Sequence, residues 1–152
     1  MTVRGRFSLD ANILVYAVDS NAGERQLQAG ELVGRAARRD CVLTMQALAE
    51  FFHATTRKNL LAPARARAFV RNWSDVFQVV SADAAALADA MDAVEEHRFS
   101  CWDAMLWATV RQSGCSALLS EDMQDSRRLG GVEIINPFAP DADTRLADLL
   151  EA

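Results

Sequence analysis

The sequence predicts an α/β fold: a central parallel sheet of about five short strands with helices on both faces. Two observations carry that expectation. Apolar runs of three or four residues recur along the chain, at Phe7-Ser8-Leu9, Cys41 to Thr44, Phe77 to Val80, Ala117 to Ser120 and Val132 to Ile135. Between them lie longer segments with helical periodicity, and strands that alternate with helices pack as βαβ units around a parallel sheet. The length of 152 residues, with no repeat, low-complexity tract or linker, suits one compact domain over residues 1–152.

Each element has a local reason. Phe7-Ser8-Leu9 reads as a buried strand ending at Asp10, and Ala11 to Ala17 is strand-like in composition but readable as a short helix. Asn21-Ala22-Gly23 breaks the chain. Glu24 to Arg39 then reads as a helix with Leu27, Leu32, Val33 and Ala36 inward and Arg35, Arg38 and Arg39 outward. Cys41 to Thr44 is the second strand. In Met45 to Lys58, the residues Met45, Leu48, Phe52 and Thr55 recur near the 3.6-residue period. Pro63 fits the first turn of a helix running to about Asp75.

Ser81-Ala82-Asp83 opens a helix to about His97. Ser100 caps the next, Cys101 to Ser113, and Gly114 stops it. Glu121 to Gly131 is polar and reads as a loop. Pro137 stops the last strand, and Leu146, Leu149 and Leu150, at helical spacing, make residues 141–152 a small C-terminal helix or else a tail.

Composition narrows the function classes. Hydrophobic residues make up 51% and charged residues 24%, an ordinary globular profile. No apolar run approaches the ~18 residues of a membrane span, and the N-terminus lacks a signal-peptide pattern, so a cytoplasmic location and no membrane partner are expected. Cys41, Cys101 and Cys115 are odd in number and lack a C-x-x-C pair, which argues for reduced core thiols rather than zinc or disulfides. The net charge of -5 counts against nonspecific coating of nucleic acid. The positive charge is almost all arginine, with Lys58 the only lysine, and arginine suits forked recognition of phosphate. Trp102, Trp107, Phe51 and Phe52 read as packing. His53 and His97 are isolated and suit neither ligand nor base.

Four acidic places stand out: Asp10 after the first strand, Glu50 in an apolar helix, Asp103 in the first turn of its helix, and the Glu121, Asp122, Asp125 group after the fourth strand. Each has a plainer reading. Asp10 can cap the following helix. Glu50 can face water between two core stripes. Ser100 and Asp103 match a capping box, and the acids of the 120s can be a solvated turn. Jointly they say more, because strand ends and the following helix starts share one edge of a parallel sheet. Bare carboxylates ~5 Å apart repel by roughly 3 kcal/mol per pair at an effective dielectric of 20. A hard cation relieves that repulsion, and oxygen-only donors select Mg²⁺ or Mn²⁺. Such an ion equips a site for phosphodiester hydrolysis.

Leu9-Asp10-Ala11-Asn12-Ile13-Leu14, Ala49-Glu50-Phe51, Trp102-Asp103-Ala104, Leu119-Ser120-Glu121-Asp122-Met123 and the closing Asn136-Pro137-Phe138 resemble, in order and spacing, the motifs of the PIN-domain family. The resemblance is greatest to its bacterial toxin ribonucleases of the VapC type and spans roughly Phe7 to Phe138. It implies a single PIN-like domain and a Mg²⁺- or Mn²⁺-dependent endoribonuclease, the toxin of a type II toxin–antitoxin pair. Asp10, Glu50 and Asp103 would hold the metal, supported by hydrogen bonds from Asn12 and Ser120. The fourth acid would be Asp122, with Asp125 as the alternate, because the Ser-Glu-Asp run resembles toxin members. The resemblance also implies a small DNA-binding antitoxin and a homodimer.

For the RNA backbone the candidates are Arg127 and Arg128, which directly follow the acidic loop, and the helix carrying Arg65, Arg67 and Arg71. The rival readings fit less well. A phosphatase of the haloacid dehalogenase type wants a second Asp where Asn12 stands, and a late lysine. A Mg²⁺-binding receiver-like module lacks that lysine too. A PIN fold that has lost catalysis would not need its acids intact.

Overall fold

A computed structural model describes residues 2–151; the predicted extension of the last helix to Ala152 lies outside them. The elements run β1 (Phe7–Leu9), α1 (Ala11–Val18), α2 (Glu24–Ala36), β2 (Cys41–Thr44), α3 (Met45–Arg57), α4 (Pro63–Val76) and β3 (Gln78–Val80), then α5 (Ala84–His97), α6 (Cys101–Gln112), β4 (Ala117–Leu119), β5 (Arg128–Leu129), β6 (Val132–Ile135) and α7 (Ala142–Leu150). Ala11 to Ala17, ambiguous by composition, is helical.

The strands form one sheet in the order β3-β2-β1-β4-β6-β5. All neighbours are parallel except β5 and β6. The chain winds outward from β1 to β3 on one side and then restarts at β4 on the other. The reversal between β1 and β4 leaves a crevice outside their carboxyl ends. Leu9 pairs with Leu119 there, so Asp10 and Ser120 leave the sheet side by side.

Alternation along the strands builds two cores. Phe7, Leu9, Leu43 and Leu119 pack with α1, α2, α3 and α7 on one face. Val42, Leu118, Val132 and Ile134 pack with α5 and α6 on the other. Neighbouring strand residues point to opposite faces, and both faces are covered, so β1, β2 and β4 are buried along their whole length.

The structure departs from the sequence reading in a few places. Glu121 to Gly131 is not all loop, because Arg128 and Leu129 pair with Glu133 and Val132 as a sixth strand. Gly130 (φ 56°) and Gly131 (φ 83°) make the two-residue turn of that hairpin, a conformation in which both central residues need positive φ. Leu27 is exposed rather than inward, since the buried stripe of α2 is Ala29, Leu32, Val33 and Ala36. Two positions from Ala29, Leu27 lies on nearly the opposite side of a helix that turns about 100° per residue.

Phe51, not Phe52, faces the core, packed edge-on against Phe69 and Trp73. Met45 and Trp102, at the first turns of α3 and α6, are exposed, and so is Cys101. Cys41 and Cys115 are buried thiols, as expected.

Candidate active site

β1 delivers Asp10 to the crevice. Its backbone N–H donates to the Leu119 carbonyl at 2.9 Å, prolonging the β1–β4 ladder by one bond. Its carboxylate accepts from the Ala11 N–H at 2.7 Å and from the Ser120 hydroxyl at 2.7 Å. Asp10 is therefore the N-cap of α1 and also part of the crevice wall. Ser120 is fully buried, and its oxygen also accepts from the Met123 N–H at 3.3 Å, which ties the loop after β4 to the acid. Burial pushes the Asp10 pKa up to about 6 from 3.8; the Ser120 and Ala11 hydrogen bonds lower it, and the charges of Glu50 and Asp103 raise it further.

Asp10, Asn12, Tyr16, Glu50, Lys58 and Asp122 line one cleft of about 340 Å³. Asn12 stands one residue inside α1, and both polar atoms of its side chain are buried without a hydrogen-bond partner. Unmet donors and acceptors cost free energy, so this amide is free to bind a group that enters the cleft. Glu50 is half-buried on α3, and the Gln46 amide donates to its Oε1 at 3.0 Å and to the Trp102 carbonyl at 2.9 Å. Gln46 thus links Glu50 to the start of α6, where Asp103 stands.

Asp103 does not line the cleft but is close enough for its charge to act on Asp10. The capping-box reading is half met. The Ser100 hydroxyl accepts from the Asp103 N–H at 3.2 Å, while no hydrogen bond reaches the Asp103 carboxylate among the described residues.

Asp122 is exposed on the cleft, whereas Asp125 is engaged elsewhere. The Asp125 carboxylate accepts from the Asn136 N–H at 2.8 Å and from Arg145 at 2.8 and 3.0 Å, and its pKa lies below the ordinary value: burial raises it, and these bonds outweigh that. Between the two, Asp122 remains available. Glu121 turns the other way: it accepts from the Tyr16 hydroxyl at 2.6 Å and forms an ion pair with Arg25. The Arg25 guanidinium lies 4.3 Å from the Phe138 ring centroid and 5.4 Å from that of Tyr16. This clamp sets the path of the loop that carries Asp122.

The Arg127-Arg128 pair is not beside this cleft. Arg127 lies 4.3 Å from the Phe99 ring centroid and donates to the His97 carbonyl at 2.8 Å, and Arg128 pairs with Glu133 at 3.2 Å. Glu133 is level with Ala117, the first residue of β4, so Arg128 sits toward the amino ends of the strands, opposite Asp10. Nearness in sequence to the acidic loop does not bring the pair to the cleft lining, because the chain turns back along β5. The sequence reading also overlooked Lys58, Gln46 and Tyr16. The four-residue spacing of Gln46, Glu50, Ala54 and Lys58 on one helix was the available signal.

As placed, no three His, Cys, Asp or Glu side chains among the described residues close into a group that could hold a metal ion. The residues still suit a hard divalent cation: the donors are all oxygen, and the unpartnered Asn12 amide lines the same cleft.

A doubly wound sheet with an acidic cleft at its switch point defines an α/β protein whose chemistry lies at the strand ends. The PIN domain model matches residues 8–130, and the chain belongs to that family. Similar solved structures include a toxin–antitoxin complex from Klebsiella pneumoniae (18% identity, TM-score 0.61, covering 86% of this chain and 97% of that one). A second is VapC20 from Mycobacterium tuberculosis, a sarcin-ricin-loop-cleaving toxin (20%, 0.61, 76% and 91%). A third is VapBC2 from Rickettsia felis bound to a DNA fragment from its promoter (12%, 0.61, 85% and 96%). At these identities the likeness is one of fold. No curated protein matches.

Proposed function

We propose that this chain is an endoribonuclease that hydrolyses RNA with Mg²⁺ or Mn²⁺, the toxin of a toxin–antitoxin pair. Membership of the PIN family and the likeness to VapC-type toxins support the reading. The observation that carries it is the cleft at the β1–β4 switch point, where buried Asp10 and the unpartnered Asn12 amide face Glu50 and Asp122. Asp10, Glu50, Asp103 and Asp122 would hold the cation, and Asn12 and Ser120 would orient its surroundings. When bound, the cation supplies a polarised phosphoryl oxygen and an activated water. Asp10 is held in one orientation by Ser120 and the Ala11 N–H, so it needs no reorganisation to accept charge.

The partners are a small DNA-binding antitoxin and, in a homodimer, a second copy of this chain. No helix among the described residues is long and apolar enough to cross a membrane, and a cytoplasmic site of action belongs to the same reading.

RNA cleavage with Mn²⁺, with Mg²⁺ and with chelator tests the proposal, beside thermal melting of Asp103→Asn. The expected result is cation-dependent cleavage by the wild type and a loss of at least about 100-fold in the variant, with its fold kept. Full activity in the variant would reduce Asp103 to a helix-start residue. Cleavage that persists in chelator would overturn the metal mechanism.

A further inference from the structure

Among the described residues, Lys58 is the one cation that lines the cleft, and the proposed chemistry leaves it without a task. Lys58 follows the last residue of α3 and lines the same cleft as Asp10, Glu50 and Asp122. Its side chain is exposed and makes no salt bridge among the described residues, although four acids, Asp10, Asp19, Glu50 and Asp122, share the cleft with it. The arginines near or after the acidic loop are committed elsewhere. Arg25 is paired with Glu121 and stacked on Phe138, Arg127 is bound to the His97 carbonyl, and Arg128 sits at the opposite ends of the strands.

Glu50, Ala54 and Lys58 recur every fourth residue along one wall of the cleft. With a rise of 1.5 Å per residue, the Lys58 backbone lies about 12 Å further along the helix axis than that of Glu50. An RNA strand running along this wall would meet the acids at one end and the ammonium at the other. A lysine ammonium is a compact, mobile point charge suited to a single phosphate oxygen.

We propose that Lys58 holds a backbone phosphate of the RNA, one that flanks the bond being cleaved. The proposal rests on the ribonuclease reading and adds a direction to it: the substrate lies along α3, from Glu50 toward Lys58. Lys58 is then a positioning residue for the strand. Its loss raises KM and leaves kcat nearly unchanged, since it does not touch the reacting phosphate.

The test is binding of a short unstructured RNA to the full chain in Ca²⁺ over a range of salt, for wild type, Lys58→Gln and Lys58→Arg. Cleavage in Mn²⁺ and Mg²⁺ affinity are measured alongside. Lys58→Gln is expected to weaken binding by about 5- to 10-fold and to lower the slope of log K against log salt by about 0.7, one phosphate contact on a single strand. Lys58→Arg should keep the slope, and the melting temperatures of all three should coincide.

An unchanged affinity and slope in Lys58→Gln would overturn the proposal. Tighter Mg²⁺ binding with an unchanged RNA slope would do the same, showing Lys58 to be a counter-ion of the acids. RNA binding that depends on Lys58 without cleavage by the wild type would overturn the ribonuclease reading and leave Lys58 as a phosphate contact. Absence of RNA binding by the wild type would overturn both.

Discussion

Asp10 carries its charge where water hardly reaches, with 6% of its surface exposed. In the unfolded chain it ionises near 3.8, in the folded one near 6. Between those values the native state keeps a proton that the unfolded state has lost, so stability falls as pH rises through the interval. Below about pH 4 both states are protonated and nothing is lost; above about pH 6 the loss reaches about 3 kcal/mol, the shift of roughly two pKa units converted to free energy. Asp10→Asn removes this titration. Urea denaturation in chelator should show the variant gaining on the wild type by up to about 3 kcal/mol between pH 4 and 6.5; a gap that stays constant with pH would show that the carboxylate is not strained.

Tyr16 is a second case. Its hydroxyl donates to the Glu121 carboxylate, and that bond, with burial and the Glu121 charge, raises the phenol pKa. Tyr16→Phe should cost about 1 kcal/mol, read from the shift in urea midpoint at constant m, because Glu121 keeps Arg25.

Among the elements, α3 does most to shape the site. Thr44 caps it, accepting from the Ala47 N–H at 3.0 Å, and so sets where the helix leaves β2. Two turns of α3 then carry Glu50, Ala54 and Lys58 past the end of β1. Gln46 joins this wall to α6 through Trp102. Gln46→Ala should cost about 1–2 kcal/mol in stability, as for one part-buried and one exposed hydrogen bond, and lower affinity for Mn²⁺ severalfold by leaving Glu50 without its partner; calorimetric titration beside melting separates the two effects.

The β5–β6 hairpin shows how backbone conformation restricts sequence at the far end of the sheet. A Cβ on Gly130 would come within 2.8 Å of the Arg111 side chain and 3.1 Å of the Trp107 ring, in a residue whose φ is 56°. Gly130→Ala should therefore destabilise by about 1–2 kcal/mol, the left-handed penalty, plus the cost of moving Arg111. Cleavage by the folded fraction should be unchanged, because the hairpin lies away from Asp10.

At the scale of the whole molecule, the four acids proposed to hold the ion come from the end of β1, α3, α6 and the loop after β4. An ion bound among them would join elements that otherwise meet through apolar contacts and a few hydrogen bonds. By mass action, a cation at 100 times its dissociation constant adds about 2.7 kcal/mol, which for a domain of this size raises Tm by about 5–10 °C. Differential scanning fluorimetry with Mn²⁺ should show that rise in the wild type and not in Asp10→Asn. An equal rise in both would place the ion elsewhere.

What the sequence determined by itself is what depends on near neighbours in the chain. Short apolar runs became β1, β2, β4 and β6, periodic segments became helices, and Ser100, Gly114 and Pro63 ended or began them as local hydrogen bonding and backbone conformation require. The placing of Asp10 and Ser120 at strand ends on one edge was also legible, since parallel strand direction follows from alternation with helices. Tertiary structure decided the rest. It turned Leu27 and Phe52 outward and Phe51 inward, a choice between adjacent residues that depends on what packs opposite. It bound Asp125 to Arg145 and left Asp122 on the cleft, through a helix twenty residues away. It tied Arg127 to the His97 carbonyl, set Arg128 toward the amino ends of the strands and brought Lys58, from the end of α3, to the acids. Those outcomes depend on distances across the fold, and charge acts through space rather than along the chain.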